Sequence, residues 1–198
     1  MKAFRSGSPH RRQAGAVLVE TAVVVPLLII LAVPIFYVMW NINAQTVITN
    51  AAREMANLIA RPVGYAKSRT MQEKMTSVAT MTPPFDLAKY GSIVVTEVEP
   101  DSRCSVGRCQ GTIVHMWKWN LGAGPATSRW GQCLGRWDPS ADGQCDKPST
   151  DKIALPYSPP GKKVFIAEVN YQLPAWTGIP GFHIPGLNKD PLYAWAIF

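Results

Sequence analysis

AVLVETAVVVPLLIILAVPIFYVMW, residues 16–40, holds one charged side chain, Glu20, in twenty-five positions. At 1.5 Å per residue a helix of that length runs about 37 Å, which crosses a hydrocarbon core of about 30 Å with some tilt. The stretch reads as a transmembrane helix, and the rest of the chain is organised by the side of it on which each residue falls. A cleavable secretory signal has a shorter apolar core, about 7–15 residues, followed by a small-residue cut site. Here the run is longer and opens onto Trp40-Asn41-Ile42-Asn43-Ala44. Cleavage after Ala44 and a plain uncleaved anchor are the weaker alternatives.

On the N-terminal side stand Lys2, Arg5, Arg11 and Arg12 with no acid, and the next charge after Glu20 is Arg53. An excess of cations before a span predicts a cytoplasmic N-terminus and an extracytoplasmic remainder. Those four residues carry +4 of the formal +7, which leaves +3 on everything that follows. Cations beyond residue 50 are scattered among acids, so the composition excludes a nucleic-acid surface. Seven Trp, six Tyr and six Phe are too much apolar surface for an unfolded chain, and 198 residues exclude a large multidomain enzyme.

A carboxylate inside an apolar run costs about 2.5–3.5 kcal/mol on insertion scales. Glu20 therefore needs a route to the interface, by snorkelling one turn, or a cation supplied by another subunit. Pro26 and Pro34 each remove a helix donor; they bend the span, or let it loosen and repack outside the bilayer.

Helical periodicity continues past the span, with Ile42, Val47, Ile48, Ala51, Ala52, Met55, Leu58 and Ile59 at three- and four-residue spacing. One helix is expected from Ala16 to Arg61, stopped by Pro62 and Gly64. SRTMQEKMTSVATM, residues 68–81, puts Met71, Met75, Val78 and Ala79 on one face, and predicts a second, short helix before Pro83-Pro84. Four β-branched and aromatic runs follow: SIVVTEVEP, TIVHMWKWN, KVFIAEVNYQLP and PLYAWAIF. The reading is an α+β fold with a roughly four-stranded antiparallel sheet. Between the second and third runs, from about 120 to 162, lies a segment rich in Gly, Pro, Asp and Ser. A connection of that length is functional, mobile or stapled.

Cys104, Cys109, Cys133 and Cys145 all lie on the non-cytoplasmic side, where disulfides persist. Three pairings are possible; the spacing favours Cys104 with Cys109 across a strand turn and Cys133 with Cys145 within the long insertion. No C-x2-C knuckle supports zinc, and no cofactor site is expected. His10, His115 and His183 are too few and too scattered for a triad or metal centre. No nucleophile elbow, zincin, P-loop or dinucleotide motif occurs, and the acids Glu97, Glu99, Glu168 and Asp138 are expected to face water rather than to pair as in glycosidases. The chain does not read as an enzyme. Among the tryptophans, Trp117 and Trp119 share a strand face and are expected to pack on a helix. Trp130 and Trp137, in the cysteine-flanked loop, are the expected exposed pair for a surface contact.

The order of basic leader, Gly15, four apolar residues, Glu20 and a long apolar helix resembles the type IV pilin signal. The whole arrangement resembles the TadE-like minor pilins (pseudopilins) of tight adherence, or type IVc, pili. The residues that carry it are RRQAGAVLVETAVVVPLLIIL, NAAREMANLIA at 50–60 and VFIAEVNYQL at 164–173, with Thr21 where relatives commonly have an aromatic residue. The resemblance implies a leader, 1–15, removed by a prepilin peptidase between Gly15 and Ala16, and an assembly helix, 16–61, in which Glu20 is the fifth mature residue. It implies a globular part, 62–198, outside the bacterial inner membrane. The implied partners are major and minor pilin subunits and the Tad secretion machinery, with a role in adhesion or pilus biogenesis. The other function in view is a membrane-anchored binding protein that uses its Trp-bearing loop.

Overall fold

The computed structural model describes residues 10–60, 70–101, 109–120, 128–155, 162–173 and 191–198, with the backbone alone for 10–17. By internal contacts the chain divides into two compact units, Met1–Asn43 and Ala44–Phe198.

Helix α1 (His10–Ala60) begins in the first unit, six residues before the expected start at Ala16, and it stays continuous through Pro26 and Pro34. Arg61, the expected last residue, lies outside the described residues. From Leu18 to Ile42 most of the large apolar side chains are exposed, Leu18 at 70% and Met39 at 65%, while Val33, Tyr37 and Trp40 are half-buried. A helix that exposes so much apolar surface is suited to lipid rather than water, and α1 is long and apolar enough to cross a membrane. Local bonds help keep its polar groups satisfied: Thr21 Oγ1 donates to the Leu18 carbonyl at 3.3 Å and Asn41 Nδ2 to that of Tyr37 at 3.0 Å.

In the second unit the last turns of α1 bury Ala44, Ile48, Ala51, Ala52, Met55 and Ala56. Two short helices follow. Helix α2 (Met71–Ala79) starts with a capping box in which Thr70 Oγ1 and Glu73 exchange bonds with each other's N–H, which satisfies donors the helix cannot. It buries Met75 and Val78. Helix α3 (Leu87–Tyr90) is capped by Asp86, and leads into the sheet.

Among the described residues the sheet has seven strands: β1 (Gly91–Pro100), β2 (Cys109–Trp119), β3 (Trp137–Asp138), β4 (Gln144–Cys145), β5 (Lys152–Leu155), β6 (Val164–Tyr171) and β7 (Leu192–Ile197). Their order is β3-β4-β2-β1-β6-β7, with β5 also paired to β2, and all recorded pairings are antiparallel. The four strands read from sequence are β1, β2, β6 and β7. The other three occupy the segment expected to be a loop. They have two, two and four residues, too few to show an alternation; β4 and β5 form on the free ladder edge of β2, and β3 forms on β4.

Strand β1 is buried on both faces along nearly its whole length. On one face Val94 packs with Ile113, Met116 and Cys145, and Val98 with Cys109, Leu155, Val164 and Ile166. Residues Ser128–Leu155, here called the strap, lie on this face through Trp130, Cys133, Trp137 and Ile153. On the opposite face Trp119, in register with Ile93, donates its indole N–H to Thr76 Oγ1 of α2 at 3.0 Å, as the strand alternation predicts. Trp117 stands beside His115, ring centres 5.5 Å apart. At the edge, Gln45 Nε2 donates to the Tyr193 carbonyl at 3.0 Å. A register shift between Glu97 and Val98 leaves Val114 unpaired as a bulge. After β2, Asn120 takes a left-handed conformation, φ 62°, and its amide donates to the Ala88 and Gly91 carbonyls.

Ile166 is fully buried where the sheet and the strap meet. Ile166→Ala is expected to cost about 2–5 kcal/mol in thermal unfolding of the detergent-solubilised chain, while Met81→Ala, at a side chain 66% exposed, stays within about 0.5 kcal/mol of wild type.

Candidate functional site

Two regions carry the residues singled out in the sequence. The first is the start of α1. The Gly15–Ala16 bond lies within helical backbone, and Glu20 follows on the exposed surface of the helix. Glu20 has no ion-pair partner among the described residues.

The second is the strap. Cys133 and Cys145 are joined by a disulfide, Cα atoms 5.8 Å apart and twelve residues apart in sequence. Cys109 is also oxidised, while its expected partner, Cys104, lies outside the described residues. Asp146 sits beside the Cys133–Cys145 bridge, but sulfurs bonded to each other are not thiolate ligands. Trp130 and Trp137 are half-buried against the sheet rather than an exposed pair. The strongly exposed indole in this area is Trp195, at 46%, which Trp130 meets edge-on with ring centres 5.3 Å apart. Gly- and Pro-rich flanks suggest a solvated loop for Trp130 and Trp137. The uncovered apolar face of the sheet draws them inward instead.

The strap enters on a polar network that the sequence reading missed. Glu168, on β6, is fully buried. Ser128 Oγ accepts from the N–H groups of Trp130 and Gly131 at 3.1 and 3.2 Å, so its own proton goes to Glu168 Oε2. Glu168 Oε1 accepts from the Arg129 N–H at 2.9 Å and the Tyr193 hydroxyl at 2.7 Å. The Arg129 guanidinium lies 4.2 Å above the Tyr193 ring, a cation–π contact that closes the cluster. Burial pushes the Glu168 carboxyl above the ordinary carboxylate range, against the pull of its three donors and the Arg129 charge. Burial likewise pushes the Tyr193 phenol up. The available signal was one acid in an otherwise uncharged strand, VFIAEVNY.

Glu97 is buried on the opposite face of the sheet from Glu168, so the two form no carboxylate pair. It accepts from His115 Nδ1 at 3.0 Å and pairs with the Lys163 ammonium. A carboxylate on β1 is thus held between cationic or donor groups on β2 and just before β6. The bond to Glu97 holds the Lys163 ammonium above its ordinary pKa. Lys118, 2% exposed, has its pKa lowered by burial. These groups brace the sheet. His183 lies outside the described residues, and the side chain of His10 is not among them.

Residues 15–57 match the family model described as TadE-like protein. The match covers the apolar helix and the buried turns after it, and none of the sheet. No match was found among curated proteins or solved structures.

A carboxyl whose folded pKa is raised contributes stability that is complete below the ordinary carboxylate range and is lost as pH rises through the folded value. Glu168→Gln sets an amide NH2 against a committed donor and is expected to cost about 1–3 kcal/mol in acid. That gap should narrow toward neutral pH in thermal unfolding; a gap that widens would contradict it. Replacing Cys133 and Cys145 together by alanine is expected to cost about 2–4 kcal/mol and to make the strap sensitive to protease.

Proposed function

We propose that this chain is a minor pilin, or pseudopilin, of a type IVc (Tad) pilus system, processed by a prepilin peptidase and assembled through α1. The observation that carries the reading is that the TadE-like match falls on the helix that holds Gly15, Ala16 and Glu20 and is apolar enough to span a membrane. The α+β sheet domain that follows is far larger than an anchor needs, which suits a minor subunit. In this reading Lys2, Arg5, Arg11 and Arg12 keep the N-terminus in the cytoplasm, and the sheet domain lies outside the inner membrane.

Cutting after Gly15 creates an α-amino group at Ala16, a cation near neutral pH. In an assembly of parallel helices it pairs with the Glu20 carboxylate of a neighbouring subunit. Each charge alone in an apolar interface is unfavourable, and removing one member of such a pair costs about 3–5 kcal/mol. The binding-protein reading has less support, because Trp130 and Trp137 are taken up in packing against the sheet.

The processed chain is expected to begin at Ala16, and Gly15→Arg to block the cut; N-terminal sequencing that returns Met1 or Gln45 overturns the reading. Glu20→Gln is expected to leave cleavage and membrane level near wild type while pilus formation and co-purification with other pilins are lost. Normal pili in that variant would leave Glu20 only snorkelling at the interface.

A further inference from the structure

The two sides of the sheet end differently. On one side β3 and β5 have two and four residues and carry Asp138 and Lys152; short, charged strands discourage further pairing. On the other side β7 is uncharged, holds no proline and pairs with β6 through six successive residues without a bulge. Phe198 continues the ladder by exchanging both backbone bonds with Phe165, at 2.8 and 2.9 Å. An apolar edge of this length and regularity is a template for another strand.

Hydrogen-bonded and non-hydrogen-bonded pairs alternate along an antiparallel ladder. Since Phe198 bonds to β6, the backbone groups of Ala194 and Ala196 do so too, and those of Tyr193, Trp195 and Ile197 point away from it. The Gln45 amide, which donates to the Tyr193 carbonyl at 3.0 Å from outside the sheet, agrees with that alternation. Beyond this contact, the N–H and C=O of Trp195 and of Ile197 have no hydrogen-bond partner among the described residues. The side chains along this stretch are open as well, Trp195 at 46% exposure on the strap face and Phe198 at 43% on the other.

We infer that β7 pairs with β7 of a second copy of the chain, antiparallel about a two-fold axis at Ala196, so that two sheets join into one. In this register Trp195 stands opposite Ile197 of the partner subunit, and Ile197 opposite Trp195 of the partner subunit. Every open N–H and C=O of these residues then has a partner, and Gln45 keeps its bond to Tyr193. An axis at Trp195 would displace Gln45, and one at Ile197 would leave the Trp195 groups unpaired. The side chains fit the same register. Bulky Phe198 meets the small Ala194 of the partner subunit, Trp195 lies beside an isoleucine, and at the axis alanine meets alanine. No charge stands on the strand, so the pairing opposes no like charges. Neither the membrane anchoring of α1 nor its processing enters this contact.

Across such an axis the two Ala196 residues form a non-hydrogen-bonded pair with Cα atoms about 4.5 Å apart, within reach of a disulfide. The two Phe198 positions are offset by four residues, about 14 Å, and are out of reach. The full chain in detergent is therefore oxidised mildly as three single variants: Ala196→Cys, Phe198→Cys on the same edge, and Met81→Cys, an exposed site off the sheet. Ala196→Cys is expected to give disulfide-linked dimer several-fold above the other two. In a second arm, differently tagged copies carry Ala196→Lys or Ala196→Glu, with thermal unfolding near that of wild type as the check on folding. Each charged copy is expected to capture the oppositely charged one and not its own kind. Dimer at Ala196→Cys no greater than at Met81→Cys, equal dimer at Phe198→Cys, or equal capture of like and opposite charges overturns the inference. Because α1 is unchanged in every variant, these results are independent of whether Gly15 is cut or pili form.

Discussion

A central strand buried on both faces is the constraint from which the globular unit follows. β1 hides Ile93 and Val95 on one side and Val94 and Val98 on the other, so the sheet needs a cover on each. An antiparallel sheet can leave one face in water; this one does not. On one face lies α2, tied to β2 through Trp119 and Thr76. The other cover has to come from the chain between β2 and β6, which contains no long helix among the described residues. The strap meets that need with short strands, half-buried tryptophans and a disulfide.

Such a cover is weak on hydrophobic grounds alone, because short irregular segments bury little apolar surface per residue ordered. It is fixed at two points. The Cys133–Cys145 bridge limits the conformations open to the unfolded loop. Glu168 gathers the donors of the strap's first turn, and Tyr193 adds a donor from the edge strand. A buried carboxylate is unfavourable without partners, and three donors with a guanidinium nearby offset part of that penalty. Glu97 plays a corresponding part on the other face, where His115 and Lys163 meet it. Both carboxylates act between strands, so they specify register as well as contributing energy.

The helix α1 shows one secondary structure serving two solvents. Between Leu18 and Ile42 most of its large apolar side chains face outward, as suits lipid, since a helix satisfies its backbone internally. From Ala44 onward small and medium apolar residues, alanine above all, are buried and amides and charges are exposed. Small side chains let a helix lie close to its neighbours, and the polar remainder leaves a face with chemistry of its own. The TadE-like match ends at residue 57, near the end of this helix, where the polar face also ends.

Much of this was legible in the sequence wherever a pattern extends over many residues. The span, its continuation as one helix, α2, and the strands β1, β2, β6 and β7 all rest on composition or periodicity that a local reading detects. So did the Cys133–Cys145 pairing, from compartment and spacing. Only the tertiary structure decided the rest. β3, β4 and β5 are too short to carry a period; β4 and β5 exist because β2 has an edge to pair with, and β3 because β4 has one. Trp130 and Trp137 turn inward because an apolar face needs covering. Glu168 is buried because residues some forty positions earlier in the chain bring donors to it. Local pattern reports what a segment prefers, whereas burial and hydrogen-bond satisfaction depend on which distant segment comes to lie against it.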